Sequence, residues 1–470
     1  MRTHCNQESL QFHPLGGREV RGRFDGGAIT RDAGGLLLGE VEKRTGIIAQ
    51  FAACFRDPRD PERIEHTVEE LVAQRVYALA LGYEDLNDHD PLRRDPLLAG
   101  LAEKPDPSGE SRARERDQGK AWAGKRTLNR LELTGEVVSE EERYKKIAMD
   151  QEAVDRMLVE VFLQAHREAP QEIVLDLDAT DDPVHGNQEG RFFHGDYGHY
   201  CYLPLYIFCG EHLLGARLRP SNIDAWAGSQ EELERIGTQI RQTWPDVKIT
   251  IRGDSGFCRE ERMAWCECHQ VDYVLGLAKN ERLKAEIAPE RQQAAAAYAA
   301  TGQAARVFKE FTYQTRESGW RARRVIAKAE PLEKGANPRF VVTSLSGEDW
   351  EARRLYEELY CARGEMENRI EEQLALFADR TSTALLRSNQ VRLYFSSGAY
   401  LLMEALRRLG LEGTELARAP CGTIRLKRLK IGALIRVTVR KIWVSLAGGY
   451  AYVEVWARIW SRLQLLPLKC

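Results

Sequence analysis

Asp178 in LDLDAT and Asp254 in IRGDSGF each follow a run of mainly apolar residues. Both runs read as buried strands, which puts each carboxylate at a strand end, where open α/β sheets collect their ligands. Two carboxylates on rigid strand ends suit a hard divalent cation such as Mg²⁺. That ion takes a few oxygen ligands and keeps its other positions for water and phosphate. A third acid is available in the helical pattern LYCARGEMENRIEEQLALFADRTS. There Tyr360, Arg363 and Glu367 fall at i, i+3 and i+7, so a phenol, a guanidinium and a carboxylate share one helical face. Glu367 would complete a site for two ions, and the planar fork of Arg363 suits a phosphate.

Each assignment has a competitor. Asp176 lies two residues before Asp178 and faces the same side of the strand. Glu371 is one turn beyond Glu367, in a run with Glu365 and Glu372 that also suits a solvated face. Asp254 after Gly253 would equally form a turn. Cys258, Cys266, Cys268 and His269 carry zinc-ligand chemistry. Their spacing lacks a second paired knuckle and falls on a helical pattern, so packing thiols are expected. His185 in VHG reads as a turn residue.

The elements that must position these groups follow from the hydrophobic pattern. From Glu172 to Ala278 the order is three strands, helix, strand, helix, strand, with a hairpin around Gly210–Glu211. That is the order of a ribonuclease H-like core, an α/β layer structure. Residues 169–400 are assigned to this catalytic core, with a β-rich insertion at about 283–335 that includes strands near Phe308–Tyr313 and Trp320–Ala327. Residues 1–168 read as a mainly helical N-terminal domain, the DNA-binding part if the chain acts on DNA. Its first 27 residues are an arm. A helix starts at the Thr67/Glu70 capping box, residues 104–128 form a mobile charged linker, and a helix runs from Ser139 to His166. Residues 401–470 read as a basic C-terminal segment of strands, with the apolar run near Ile442–Val455 buried.

The chain has 470 residues, 43% of them hydrophobic, enough for more than one core. Its net charge of −3 does not mark the whole as a nucleic-acid binder, but residues 401–470 carry 13 Lys/Arg against 4 Asp/Glu. Those strands therefore offer either a DNA-contacting basic face or an ordinary solvated one. The ten cysteines form no framework and are expected to be reduced. With no secretory leader and no long apolar stretch, the expected location is the cytoplasm, with no membrane partner.

The phrases LDLDATDDPVHG, YLPLYIF, IRGDSGF and YCARGEMENRIEEQ with FADRTS resemble bacterial DDE transposases of the Tyr-x2-Arg-x3-Glu branch. The resemblance is strongest to the insertion sequence 1380 group, over about residues 20–410. It implies that Asp178, Asp254 and Glu367 are the catalytic triad and hold two Mg²⁺ ions, for which Mn²⁺ can substitute. These would serve nicking at the ends of the element, hairpin formation and transfer of the 3′-OH strands to target DNA. Tyr360 and Arg363 would hold phosphates beside the break. Trp320 would stack a flipped base, or else pack a strand. Partners would be double-stranded DNA, both terminal inverted repeats and target, and a second copy of the chain. The signature usually continues with Lys at the position of Leu374, and Arg369 or Arg380 would replace it. The alternatives are an inactive, domesticated relative that only binds DNA, and a resolvase-like nuclease on the same fold.

Overall fold

A computed structural model describes residues 9–133, 135, 147–315, 321–332 and 335–469. The chain divides into two compact units, one formed by residues 150–397 and the other by residues 1–149 with 398–470.

The 150–397 unit is built on one eight-stranded sheet. Its strands are β1 (Glu172–Ala179), β2 (Leu205–Cys209), β3 (His212–Arg217), β4 (Lys248–Gly253), β5 (Val271–Leu277), β6 (Val307–Tyr313), β7 (Arg323–Ala329) and β8 (Arg339–Thr343), in the order β3-β2-β1-β4-β5-β8-β7-β6. Strand β4 runs parallel to β1 and β5, and the remaining pairs are antiparallel. Alternation along the strands sends side chains to two cores. One holds Leu175, Ile251, Leu275, Val325 and Val342, covered by the helices Gln151–Ala165 and Ser229–Thr243 through Phe162, Leu233, Ile236 and Ile240. The other holds Val274, Ile326 and Val341 against Leu355, Tyr356 and Leu359. Both faces are covered, which explains the near-continuous apolar runs of the central strands.

The two strands expected inside a separate insertion are present as β6 and β7, but they continue the main sheet as its far edge. The residues before them are helical, at Glu281–Glu286 and Ala288–Thr301, as the alanine-rich run RQQAAAAYAAT favours. Trp320 and residues 139–146 lie outside the described residues. The helix expected from Ser139 starts later: Ala148–Met149 is a short strand paired with Phe55–Arg56, and the helix runs Gln151–Ala165 from its Asp150 N-cap.

The other unit contains the helix Val68–Leu81, with both hydrogen bonds of the Thr67/Glu70 capping box in place. In the same unit, strand Ala433–Val437 pairs with both Ala28–Thr30 and Ile442–Leu446. The run near Ile442–Val455 is not buried. Its strand is largely exposed, and Val453–Gln464 is a helix that buries only Ile459 and Leu463. The first described residues form an exposed hairpin, Leu10–Leu15 with Arg18–Gly22.

Residues 104–128 are not a mobile linker. Asp106 accepts the backbone N–H groups of Ser108, Gly109 and Ser111, making a tight local turn. Trp122 is fully buried, and Gln74 both donates to the Ala123 carbonyl and accepts from its N–H. Gly109 has φ +69°, and a Cβ there would meet the Ala121 backbone nitrogen at 2.6 Å, so only glycine fits. Among the described residues no helix is long and apolar enough to cross a membrane.

Candidate active site

Register brings the two aspartates together. Leu177 of β1 pairs with Gly253 of β4, and Gly253 with Leu275 of β5. Asp178, Asp254 and Gly276 are therefore the next residues on three adjacent parallel strands, at their C-terminal ends. Gly276 leaves this row open. A Cβ there would lie 2.7 Å from the Tyr360 hydroxyl and 3.2 Å from the Asp254 carbonyl carbon. The absent side chain lets Tyr360 reach the strand ends, a requirement the glycine itself does not announce in the sequence.

The helix carrying the third acid is irregular. A π-helical stretch, Leu355–Tyr360, gives way to a 3₁₀ turn, Cys361–Arg363, and then to the α-helix Gly364–Ala375. Such π stretches inside helices recur at functional sites. The uniform helical face expected for Tyr360, Arg363 and Glu367 is thus replaced by a locally rewound one. Arg363 still meets both neighbours, donating to Asp178 Oδ2 at 3.3 Å and to Glu367 Oε1 at 3.1 Å. One guanidinium therefore joins the strand-end acid to the helical acid.

The aspartates differ in their surroundings. Asp178 Oδ1 accepts its neighbour's N–H, from Ala179, at 2.9 Å. Burial pushes its carboxyl up to about 6 against the pull of Arg363, and Asp254 and Glu367 push the same way. Asp254 Oδ1 accepts from Gly256 N–H at 2.8 Å and starts the turn Ser255–Phe257, so the turn-forming reading of Asp254 holds alongside any chemical one. Burial also raises the Tyr360 phenol. The donor set is all oxygen, the type a hard divalent cation takes. Among the described residues, however, no three His, Cys, Asp or Glu side chains are gathered closely enough to enclose an ion. Asp178 and Glu367 instead converge on Arg363.

Asp176, the competitor of Asp178, is committed elsewhere. Both of its oxygens accept from Arg252, Oδ2 at 2.7 Å, and Arg252 also donates to the Leu359 carbonyl. The pair is buried and ties β1 and β4 to the helix just before Tyr360. Sequence reading missed Arg252, although it sits two residues before Asp254 in IRGDSGF.

The other candidates scatter. Arg369 donates to Glu211 at 2.6 Å and to Glu372 at 3.0 Å, away from the strand-end acids. Leu374 is half-buried, and Glu371 is exposed. Cys258 and Cys266 are buried free thiols, Cys268 is exposed, and His269 stacks on Trp265. His185 is exposed, with its carbonyl accepting from Gln188.

A small antiparallel sheet beside β1 was also unanticipated. Phe192–His194 and Asp182–Pro183 both pair with His199–Tyr202. His199 Nε2 lies 2.8 Å from Asp181, just past β1, and the hairpin exposes Phe193, Tyr197 and Tyr200. Next to it, Asp182 is buried. Its Oδ2 accepts from Thr381 Oγ1 at 2.9 Å, and its Oδ1 has no partner among the described residues. Burial holds its carboxyl up at about 8, opposed by Thr381 and reinforced by Asp379 and Asp181. A carboxyl raised on folding contributes stability below its unfolded value of 3.8 and loses it as pH rises through about 8. The wild type should therefore melt progressively lower between pH 5 and pH 8 than an Asp182→Asn variant, followed by circular dichroism. Parallel melting curves across that range would remove Asp182 as the cause.

No curated protein matches the chain. The cryo-EM structure of the piggyBac transposase synaptic complex with hairpin DNA shares 10% identity with it at a TM-score of 0.37, over 94% of this chain and 86% of that one. A family model, Transposase DDE domain group 1, matches residues 12–468, almost the entire sequence. With acids on adjacent strand ends and a third on the facing helix, the chain belongs to this family of DDE transposases, enzymes that cleave and transfer DNA.

Proposed function

We propose that the chain is a metal-dependent transposase of the insertion sequence 1380 type, acting on the terminal inverted repeats of its own element through Asp178, Asp254 and Glu367. The observation that carries this reading is the Asp178–Arg363–Glu367 bridge beside Asp254. It joins a strand-end carboxylate to the helical one through a guanidinium of the type that suits a phosphate, at the C-terminal ends of parallel strands. The strand order β3-β2-β1-β4-β5 supports a ribonuclease H-like core. The commitment of Asp176 to Arg252 supports Asp178 as the strand-β1 ligand.

In this reading the three carboxylates would hold Mg²⁺, and Arg363 would leave Asp178 and Glu367 to grip a phosphate beside the break. When bound, the metal supplies Lewis-acid stabilisation of charge on the attacking and leaving oxygens. The buried hydroxyl of Tyr360, admitted by Gly276, would orient the same backbone by hydrogen bonding. Nicking, a hairpin step and joining to target DNA would follow at this one site, with a second copy of the chain holding the other end. Leu374 is the feature that favours the alternative of a relative that binds DNA without cutting it. The discriminating experiment incubates the chain with DNA carrying its element ends and Mg²⁺, then resolves the strands on a denaturing gel. Nicks and hairpins at the ends are expected. Binding without cleavage would replace this reading with the alternative, and cleavage without end preference would point to a general nuclease.

A further inference from the structure

The 1–149 part of its unit carries a charged cleft of about 1340 Å³, lined by nine Arg and Lys side chains and five carboxylates. The net excess of four positive charges stands against −3 for the whole chain. Its floor is internally paired. Arg93 donates to Asp117 at 3.0 Å, and Arg112 donates to Glu65 at 3.1 Å and contacts His66 Nε2 at 2.9 Å. His66 is held neutral, its pKa lowered to about 2 by burial and then by Lys104, Arg112, Arg93 and Arg59. A neutral His66 accepts from Arg112 rather than adding a charge. On the rim the pattern reverses. Arg114 and Arg126 are exposed and have no carboxylate partner among the described residues, and Arg116 reaches Asp117 only at 3.8 Å.

Two features mark the rim as more than a solvated face. Arg114 and Arg116 belong to the 104–124 segment, which is anchored by the Asp106 turn, buried Trp122 and the Gln74–Ala123 pair. Ordering a polar segment costs about 1–2 kcal/mol of conformational entropy per residue, and this composition buries little apolar surface in return. Lys125 and Arg126 also open the helix Lys125–Glu132, whose own first turn holds no acid; Asp90 accepts the Lys125 N–H there at 3.1 Å. Arg126, exposed beside that carboxylate, opposes the helix dipole and is left free for an anion from outside.

We infer that this cleft binds the phosphodiester backbone of duplex DNA, independently of base sequence. The inference rests on the proposed action on DNA and adds a second contact surface to it. Phosphate contacts of this kind position a duplex without reading it.

The test is the double variant Arg114→Glu/Arg126→Glu. Both side chains are exposed, and an acid at 126 suits the helix start, so folding should be preserved and is checked by circular dichroism. Affinity for a fluorescein-labelled duplex of random sequence is measured by anisotropy across a salt series. An equal reversal at exposed Arg167 and Lys248, outside both the cleft and the basic C-terminal segment, reports the effect of net charge alone. The cleft variant should bind at least about tenfold more weakly at low salt, with the salt slope reduced by about 2. Unchanged affinity and slope in the cleft variant, beside a binding wild type, would overturn the cleft and leave the proposed function standing. Equal losses in both variants would overturn it by assigning the effect to net charge. Loss of self-association with DNA affinity intact would overturn it in favour of a second copy as occupant. A wild type with no affinity for duplex would overturn both readings.

Discussion

Replacing Asp254 by Asn should leave the chain folded and able to bind DNA, while nicking in Mg²⁺ falls by about a thousandfold or more. The substitution is informative because of what it preserves. Asp254 Oδ1 accepts the Gly256 N–H and so starts the Ser255–Phe257 turn. An asparagine carbonyl accepts the same bond, so the turn survives and only the charge is lost. Asp254→Ala would also remove the turn contact and confuse the two roles. In the proposed mechanism the lost charge is a metal ligand. Lewis-acid stabilisation is worth several kcal/mol, and each 1.4 kcal/mol is about tenfold in rate. Nicking at the wild-type rate by a folded Asp254→Asn variant would reduce Asp254 to its structural role.

The second large effect is on stability. Arg252→Met should destabilise the chain by about 3–5 kcal/mol, because it leaves the Asp176 carboxylate buried without its partner. The side chains of the pair are only 8% and 4% exposed. Burial already pushes the Asp176 carboxyl up against the pull of Arg252. The same change releases the Leu359 carbonyl and with it the approach to Tyr360 and Arg363. Denaturant unfolding of the single variants and of the double variant Arg252→Met/Asp176→Leu separates the causes. The double variant should recover much of the loss, since removing both charges also removes the desolvation cost. A single variant as stable as wild type would mean that the pair contributes nothing to holding the site together.

Those two residues also mark how far the sequence could be read. The strand-end positions of Asp178 and Asp254 were legible because short apolar runs and the residues that end them are local signals. The capping box at Thr67 was legible for the same reason. The Arg252–Asp176 pair spans 76 positions and leaves no local trace. The π stretch at Leu355–Tyr360 was equally silent, because a shifted backbone hydrogen-bond pattern needs no particular composition. Residues 104–128 were misread because polarity alone cannot separate a linker from a segment anchored by one buried tryptophan and a glutamine 49 positions away. Strands β6 and β7 were visible by their alternation. Their partner β8 follows β7 in the chain, yet nothing local tells whether strands extend a sheet or form their own. Trp320 lies outside the described residues, so its expected stacking role stays an expectation.

The central claim is that Asp178, Asp254 and Glu367 share a divalent cation once Arg363 releases two of them. Anomalous diffraction from crystals of the chain bound to its element-end DNA in Mn²⁺ tests this directly. The expected result is an anomalous peak within coordination distance of all three carboxylates, with the Arg363 guanidinium moved onto a phosphate. DNA held at the strand ends with no peak there, and Arg363 still bridging Asp178 and Glu367, would contradict the account.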